Sequence, residues 1–587
     1  MATATVDIGD HDDGHLGLYP RCGICVDTVL RHERVIALFG NDDSTSYRGH
    51  TRPFAFPQPG HTITRVDGRV LCRYPDCRNC AASPEFVPIH FDCFEIFRQK
   101  CSVSASAALN RLWILAAWRN PWRGAQPIYL SVPVVDKDTL KRISGFCGLP
   151  RLYTLPLELL EIIRQYSRHS LLWRCIPALQ LADYVSATKP EPLLTVPLRE
   201  FLFWERSGKF ERVTASRPPL QTLRLTVDSA GISKVERLPG PPTYTGECTS
   251  RSAFIVQDEA SISKVVAQLK DGRLRLNLPI LLRRLPIWNT PVPPSLDLCK
   301  VYPADPASCQ TICAVEMDQI RGITFFFSSG QLFGIYIHRS EESCAMDTFA
   351  RNFPNRLRRT VVWIYLPISQ HDRIFVLGIR EALQSRDLNV LVRTELIGDI
   401  IIGLQSKGDV KDRCLAASAP VTMIYGEPRE GRPVRFFGAY CRPPLDQALP
   451  KPFRLEKPGS CPIDDDAYFS WAPLYGVSLT LVFYDQNTGF CRGIVFRYQN
   501  GGSRAVGQCR PHVDPAESVD RPVRLCFRTS SCPSRWNRMR HMVQVKFKQS
   551  ARTNHTEKDI EGWESRPMKG LVKYWFTTES SFVVVES

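Results

Sequence analysis

GITFFFSSGQLFGIYIH (322–338) and VSLTLVFYDQNTGFCRGIVFRY (477–498) decide the fold of the larger half of this chain. Each reads as an apolar strand, a turn that contains glycine, and a second strand opened by glycine. Gly330 and Gly334 in the first stretch answer Gly489 and Gly493 in the second, which has the longer turn. Two such stretches predict a β-architecture built from related units. Short strand signals surround them at 361–366, 400–402 and 582–585, and long helical patterns are scarce. Residues 300–587 are therefore expected to form mostly antiparallel β-structure, a sandwich or a β-prism-like fold.

Upstream, the period of two persists through 198–299. Leu223-Arg-Leu-Thr-Val227 and Leu274-Arg-Leu-Asn-Leu278 alternate, and Pro-rich punctuation at 239–242 and 291–294 divides them. Helical spacing replaces this alternation at 102–185. Leu112, Trp113, Leu115, Ala116 and Trp118 lie in one expected helix that Pro121 stops. Leu155, Leu159, Ile162, Ile163 and Tyr166 begin a helical pair at 150–182, and Pro177 is expected to interrupt its second member. The Pro-rich stretch 186–197 reads as a linker. The whole is a multi-domain α+β chain.

Its 587 residues exceed one core, and about 150 residues per domain suggests three or four units. The net charge of +16 is spread along the length, which favours polyanions without placing them. No run of eighteen apolar residues suggests a membrane span. The start, MATATVDIGDHDDGH, is acidic and polar and lacks the pattern of a secretory signal. The expected location is cytoplasmic or nuclear. In that reducing setting, clustered cysteines among the 21 present point to metal rather than to disulfides.

Residues 15–101 hold seven cysteines and five histidines, His15, His32, His50, His61 and His90. The pattern is Cys22-x2-Cys25, Cys72, Cys77-x2-Cys80 and His90-x2-Cys93. A Cys-x2-Cys turn aims both sulfurs at one ion, and a full set of four ligands marks a structural zinc site. One or two zinc ions are expected. Cys77, Cys80, His90 and Cys93 suffice for a single site. Alternatively Cys22 and Cys25 join His90 and Cys93, while Cys72, Cys77 and Cys80 take a second ion with His50 or His61. A RING-like cross-brace fits less well, because the gap from Cys25 to Cys72 is long.

LPLELLEIIRQYSRHSLLWRCIPALQLA (155–182) resembles an F-box. The matching positions are Leu155, Pro156, Glu158, Leu159, Leu160 and Ile163. The resemblance implies that Leu155, Pro156, Leu159, Leu160 and Ile163 dock the linker subunit of a cullin-based ubiquitin ligase. With WNTPVPP (288–294), DDAYFSWAPL (465–474) and GLVKYWFTTESSFVVVE (570–586), the chain resembles a group of filamentous-fungal F-box-like proteins. These share an N-terminal Cys/His segment and a β-rich C-terminal half, and no activity carries over from them.

The rhythm of 363–403, with Ile379-Arg380, Leu391-Val392-Arg393-Thr394, Gly398 and Gly403, is similar to jacalin-type β-prism lectins. Asn500 to Gly507 closes in the same way. That likeness implies a glycan ligand at loop tips, with Asp464, Asp465, Asp466, Tyr468 and Trp471 as candidates. The segment 521–548 carries eight basic residues and no acid, with Trp536 and Phe547 between them, a pattern that suits nucleic acid. Alternation in Val543-Gln-Val-Lys-Phe-Lys548 reads more simply as a strand with a basic outer face. No phosphate-cradling glycine loop, His-Glu-x-x-His helix or nucleophile elbow is present. His338, His371 and His512 could serve a dispersed site but read as surface or satisfied histidines. The sequence reading is thus a non-enzymatic adaptor with structural zinc and an unidentified client. Glycan or nucleic-acid binding are the alternatives.

Overall fold

The computed structural model describes residues 15–586, except 75–76, 78, 81–82, 132–133, 168, 207, 209, 214–220, 281, 283, 304–309, 341, 383–386, 406–407, 442–449, 464–466, 534–538 and 550–561. The fold is mostly β. It divides into two compact units, Met1–Pro293 with Gln310–Ile312, and Pro294–Cys309 with Cys313–Ser587. The Cys/His segment, the helices and the strands before 293 all belong to the first unit. No helix among the described residues is long and apolar enough to cross a membrane.

Five helices organise the first unit: α1 (Phe91–Lys100), α2 (Ala105–Ala117), α3 (Lys137–Ser144), α4 (Leu157–Tyr166) and α5 (Leu171–Ala187). Residues 112–118 are buried on every face, so α2 is a core helix rather than a surface one. The indoles of Trp113 and Trp118 both donate to Ser44 O, at 3.0 and 3.1 Å. Leu112 to Trp118 share one core with Cys22, Cys25 and Cys93 and with Ala178, Leu181 and Val185 of α5. A smaller core joins α3, α4 and α5 through Leu140, Ile143, Leu160, Leu172, Trp173 and Ile176. The expected break at Pro177 does not occur, and α5 runs through it. The lost hydrogen bond and ring clash cost about 3 kcal/mol. Burial of Trp173, Ile176, Ala178, Leu179, Leu181 and Ala182 along the same helix offsets it.

The expected linker contains the strand Leu194–Pro197, which pairs with Val266–Lys270. The alternating segments form the strands Thr222–Asp228 and Arg273–Asn277. Arg275 from the second reaches back to Glu85 (Nη1 to Oε2, 2.7 Å), and both are almost fully buried. This ion pair ties the strands to the Cys/His segment.

The second unit contains one layout of sheets twice, with the inner sheets of three and four strands in the first copy and four and three in the second. In the first copy the strand that ends at Glu316, of which residues 313–316 belong to this unit, lies beside Val421–Gly426, which forms a hairpin with Phe437–Cys441. In the second, Tyr468–Pro473 lies beside Leu571–Phe576, which forms a hairpin with Ser581–Glu586. Each copy holds two further sheets between its first and closing strands. In all four of these the first strand is central: Gly322–Ser328, Ile374–Ala382, Val477–Tyr484 and Arg524–Pro533. The hairpins that open the two copies are the stretches 322–338 and 477–498. Their registers match: Phe326 faces Gly334 and Phe483 faces Gly493, with a bulge directly after each phenylalanine. All the sheets feed one core, which holds Phe325, Leu377, Met423, Ile494, Phe527 and Tyr574.

Candidate metal centres

Two Cys/His clusters form in the first unit: Cys22, Cys25, His90 and Cys93, and His15, Cys72, Cys77 and Cys80. In each, the four ligand atoms lie within 4.8 Å of one another. None of the cysteines in either cluster is in a disulfide.

The first cluster is built on a tight turn. Cys22 N–H donates to Asp27 O at 3.0 Å, and Val26 N–H returns to Cys22 O at 3.1 Å. Val26 holds a φ of 60°, an unfavourable value for a β-branched residue. Gly23 N–H donates to Pro88 O at 2.9 Å, pressing the turn against the strand Phe86–His90. That strand ends at His90, the N-cap of α1, and Cys93 follows in the first helical turn. The helix start therefore delivers two ligands and a favourable dipole for thiolates.

All four residues of this cluster are buried. His90 Nδ1 is 3.3 Å from Cys25 Sγ and 4.0 Å from Cys93 Sγ, and His90 N–H donates to Cys22 Sγ at 3.4 Å. The opposite ring nitrogen, Nε2, lies 3.2 Å from Glu33 Oε2. Arg174 of α5 ion-pairs with the other Glu33 oxygen. This carboxylate fixes the ring so that Nδ1 faces the sulfurs, the outer arrangement typical of a metal-bound histidine.

Burial alone would raise the Cys22 thiol. Hydrogen bonds to Cys25 and Cys93 and the charge of His90 outweigh it and hold Cys22 well below the ordinary range. Burial and the hydrogen bond to Cys22 push Cys25 up to about 11. Hydrogen bonds to Cys22 and Cys25 push Cys93 well up. One thiolate thus suppresses its neighbours, and three buried sulfurs ionise together only around a cation.

The second cluster depends on a parallel strand pair. His15–Gly17 runs beside Arg69–Cys72, with Gly17 opposite Cys72. His15 Nδ1 lies 3.7 Å from Cys77 Sγ. A Cβ on Gly17 would stand 3.1 Å from Cys80 Cβ, so the strand approaches the Cys77–Cys80 turn closely. Cys72 is buried and the other three are half-buried. Burial raises Cys72 and Cys80, whereas hydrogen bonds from the backbone and side chain of Cys80 help to lower Cys77.

The geometry selects the two-cluster pairing over a single site of Cys77, Cys80, His90 and Cys93. It also replaces the expected fourth ligand of the second cluster: His15 takes that place, not His50 or His61. His50 packs on Phe94 with ring centroids 5.3 Å apart, and His61 is exposed.

On α4, Leu159 and Ile163 are exposed, Pro156 is an exposed N-cap and Leu155 is half-buried. Leu160 is a correction to the expected docking set. It is fully buried against α3 and α5, because it points inward where its helical neighbours point out. Ile162 and Tyr166 complete the exposed apolar face, Tyr166 being 88% exposed, and Leu157 is exposed on the other side of the helix.

Of the loop candidates, Asp464, Asp465 and Asp466 lie outside the described residues. Tyr468 is buried, its ring beside Phe327, and its hydroxyl accepts from Gly330 N–H at 3.3 Å. It is core, not platform. Trp471 is covered by the Arg504 guanidinium at 3.7 Å. The basic segment forms the hairpin Arg524–Pro533 with Met539–Lys548. Val543 and Val545 face the core, Arg528 and Lys546 flank Trp563, and Arg535, Trp536 and Arg538 lie outside the described residues. His338 is buried, while His371 and His512 are exposed.

No family model matches this chain, and no curated protein matches it.

Proposed function

We propose that this chain is a non-enzymatic adaptor, stabilised by two structural zinc ions, that docks a partner through α4 and selects a client with its β-rich half. The observation that carries the reading is the exposed apolar face of α4. Leu159, Ile162, Ile163 and Tyr166 stand in solvent on one side of the helix, while Leu160 is its buried anchor. Single exposed apolar residues are ordinary, but a contiguous patch of this kind marks an interaction surface. Its placement on the F-box-like stretch supports the linker subunit of a cullin-based ubiquitin ligase as the occupant.

Zinc is favoured by the ligand sets. Three sulfurs and one imidazole suit a closed tetrahedral structural site. Metal analysis of the purified chain should return two zinc ions per molecule. The duplicated sheets of the second unit support a β-prism-like reading of the client-selecting half. Two cysteine-rich clusters with no disulfide in either support a reducing compartment, cytosol or nucleus.

The deciding experiment is a pull-down of the full chain with the purified linker subunit, beside a Leu159→Asp, Ile162→Asp variant. These side chains are exposed, so the variant should keep its zinc content and melting temperature. Capture that the variant loses supports the adaptor. A folded, zinc-loaded chain that captures nothing overturns it and promotes the glycan reading, which an array probed with the same chain then tests.

A further inference from the structure

The first unit contains a cavity of about 270 Å³ that the adaptor reading does not use. Four arginines line it, Arg119, Arg164, Arg206 and Arg273, together with Cys25 of the first cluster, and no carboxylate does among the described residues. The elements that converge there are distant in sequence. Arg119 follows α2, Arg164 belongs to α4, and Arg206 follows the strand Phe201–Glu205. Arg273 opens the strand Arg273–Asn277. Trp173, Ile176 and Leu181 of α5 supply an apolar wall, and Tyr184 and Gln180 add polar groups.

Two of these arginines, Arg119 and Arg273, are held in place by backbone carbonyls. Arg119 donates to Ser229 O at 2.9 Å and to Ile24 O at 3.1 Å, and its Nε is buried without a partner. Arg273 donates to Ala230 O at 2.8 Å. Neither has a carboxylate within ion-pair distance among the described residues. Arg206 does, in a fork-to-fork pair with Asp228 at 2.7 and 2.9 Å. Burial, then repulsion from neighbouring arginines, brings Arg273 down to about 9. Burial and Arg21 bring Arg119 down to about 10. Guanidinium stays protonated at neutral pH. These depressions therefore report positive charge held out of water, with the Asp228 carboxylate acting on both groups.

We propose that this cavity binds a small organic phosphate, a phosphomonoester with an apolar or aromatic body. Two guanidinium groups with no ion-paired carboxylate among the described residues match one dianionic head. Planar forks suit phosphate oxygens bidentately, and a buried site strengthens each bond. The apolar wall accounts for the body, because inorganic phosphate alone would leave Trp173 and Ile176 uncovered. The volume suits a small ligand rather than a polymer.

The test is calorimetric titration of the full chain with phenyl phosphate, inorganic phosphate, phenol and benzoate. Phenyl phosphate should bind at least about tenfold more tightly than each of the others, as expected for charge-assisted contacts plus apolar burial. Arg273→Gln should weaken it about tenfold or more, with the melting temperature of the ligand-free protein unchanged. Arg119→Gln should do the same. If that variant unfolds, because Ile24 loses its anchor, Arg273→Gln decides alone. Arg540→Gln, in the second unit, should leave the affinity as it was. Absence of binding by phenyl phosphate overturns the proposal, as does binding that Arg273→Gln does not change. Benzoate binding as tightly as phenyl phosphate overturns the phosphate class.

Discussion

His338 shows how burial sets a protonation state while a hydrogen bond sets the tautomer. It is buried, with Nδ1 3.1 Å from Ser343 O and Nε2 2.8 Å from Thr324 Oγ1. The carbonyl can only accept, so Nδ1 carries the proton and Nε2 accepts from the threonine. Burial pushes its pKa down from the ordinary 6.5 to about 4. The folded value lies below the unfolded one, so the unfolded chain binds the proton first. Stability from the neutral ring is intact above about pH 6.5 and is lost as the pH falls through about 4. The loss should reach roughly 3 kcal/mol. Denaturant melts of the second unit between pH 7 and 4 check this, and His338→Leu should flatten that part of the profile. An unchanged slope would remove His338 as its source. Histidine was the least legible residue type in the sequence generally. His90 was readable because its partner Cys93 lies three residues away on the same helix start. His15 was not, because only the parallel pairing of residues 15–17 with 69–72 brings it to Cys77.

Elements succeed or fail here according to what presses on one face. Gly23 lies where the Cys22–Cys25 turn crosses the strand Phe86–His90. A Cβ there would stand 2.4 Å from Val87 Cγ1 and 2.9 Å from Ala116 Cβ of α2. Gly23→Ala should therefore destabilise the first unit by about 1–3 kcal/mol through overpacking. It should also speed zinc loss from the first cluster while sparing the second, which a chromogenic chelator can follow in two phases. Equal loss from both clusters would show that the turn has no local role. The same logic explains the helix errors. Periodicity located α4 but left open which of its leucines would face inward, since Leu159 and Leu160 are adjacent and equally apolar. The choice falls to α3 and α5, whose Leu140, Trp173 and Ile176 enclose Leu160. Pro177 looked like a stop because local cost is visible in sequence and tertiary burial is not. Strand pairs with alternation and a glycine turn were legible in place and type. Their duplication in three-sheet copies was only hinted at by the hairpins, because pairing between residues 311–316 and 421–426 is non-local.

The whole chain divides its means of stabilisation between its two units. In the first, Cys22, Cys25 and Cys93 are members of the hydrophobic core that also holds Leu38, Phe97 and Trp113. Metal ligands that are also core residues couple ion binding to folding. The second unit has no such cluster among its described residues and rests on one large apolar core with smaller ones beside it. Chelation should therefore act on one unit only. Treating the full chain with a strong zinc chelator at neutral pH should collapse hydrogen-exchange protection across the strand Arg34–Gly40 and helices α1 and α2. Protection in the strands Gly322–Ser328 and Val477–Tyr484 should persist. A calorimetric scan should then show the transition of the first unit lowered or abolished and that of the second unmoved. Loss of protection in both units would mean that the chain unfolds as one cooperative body. Loss in neither would mean that the two clusters are buried cysteines that need no ion, and the structural-zinc reading would fail with it.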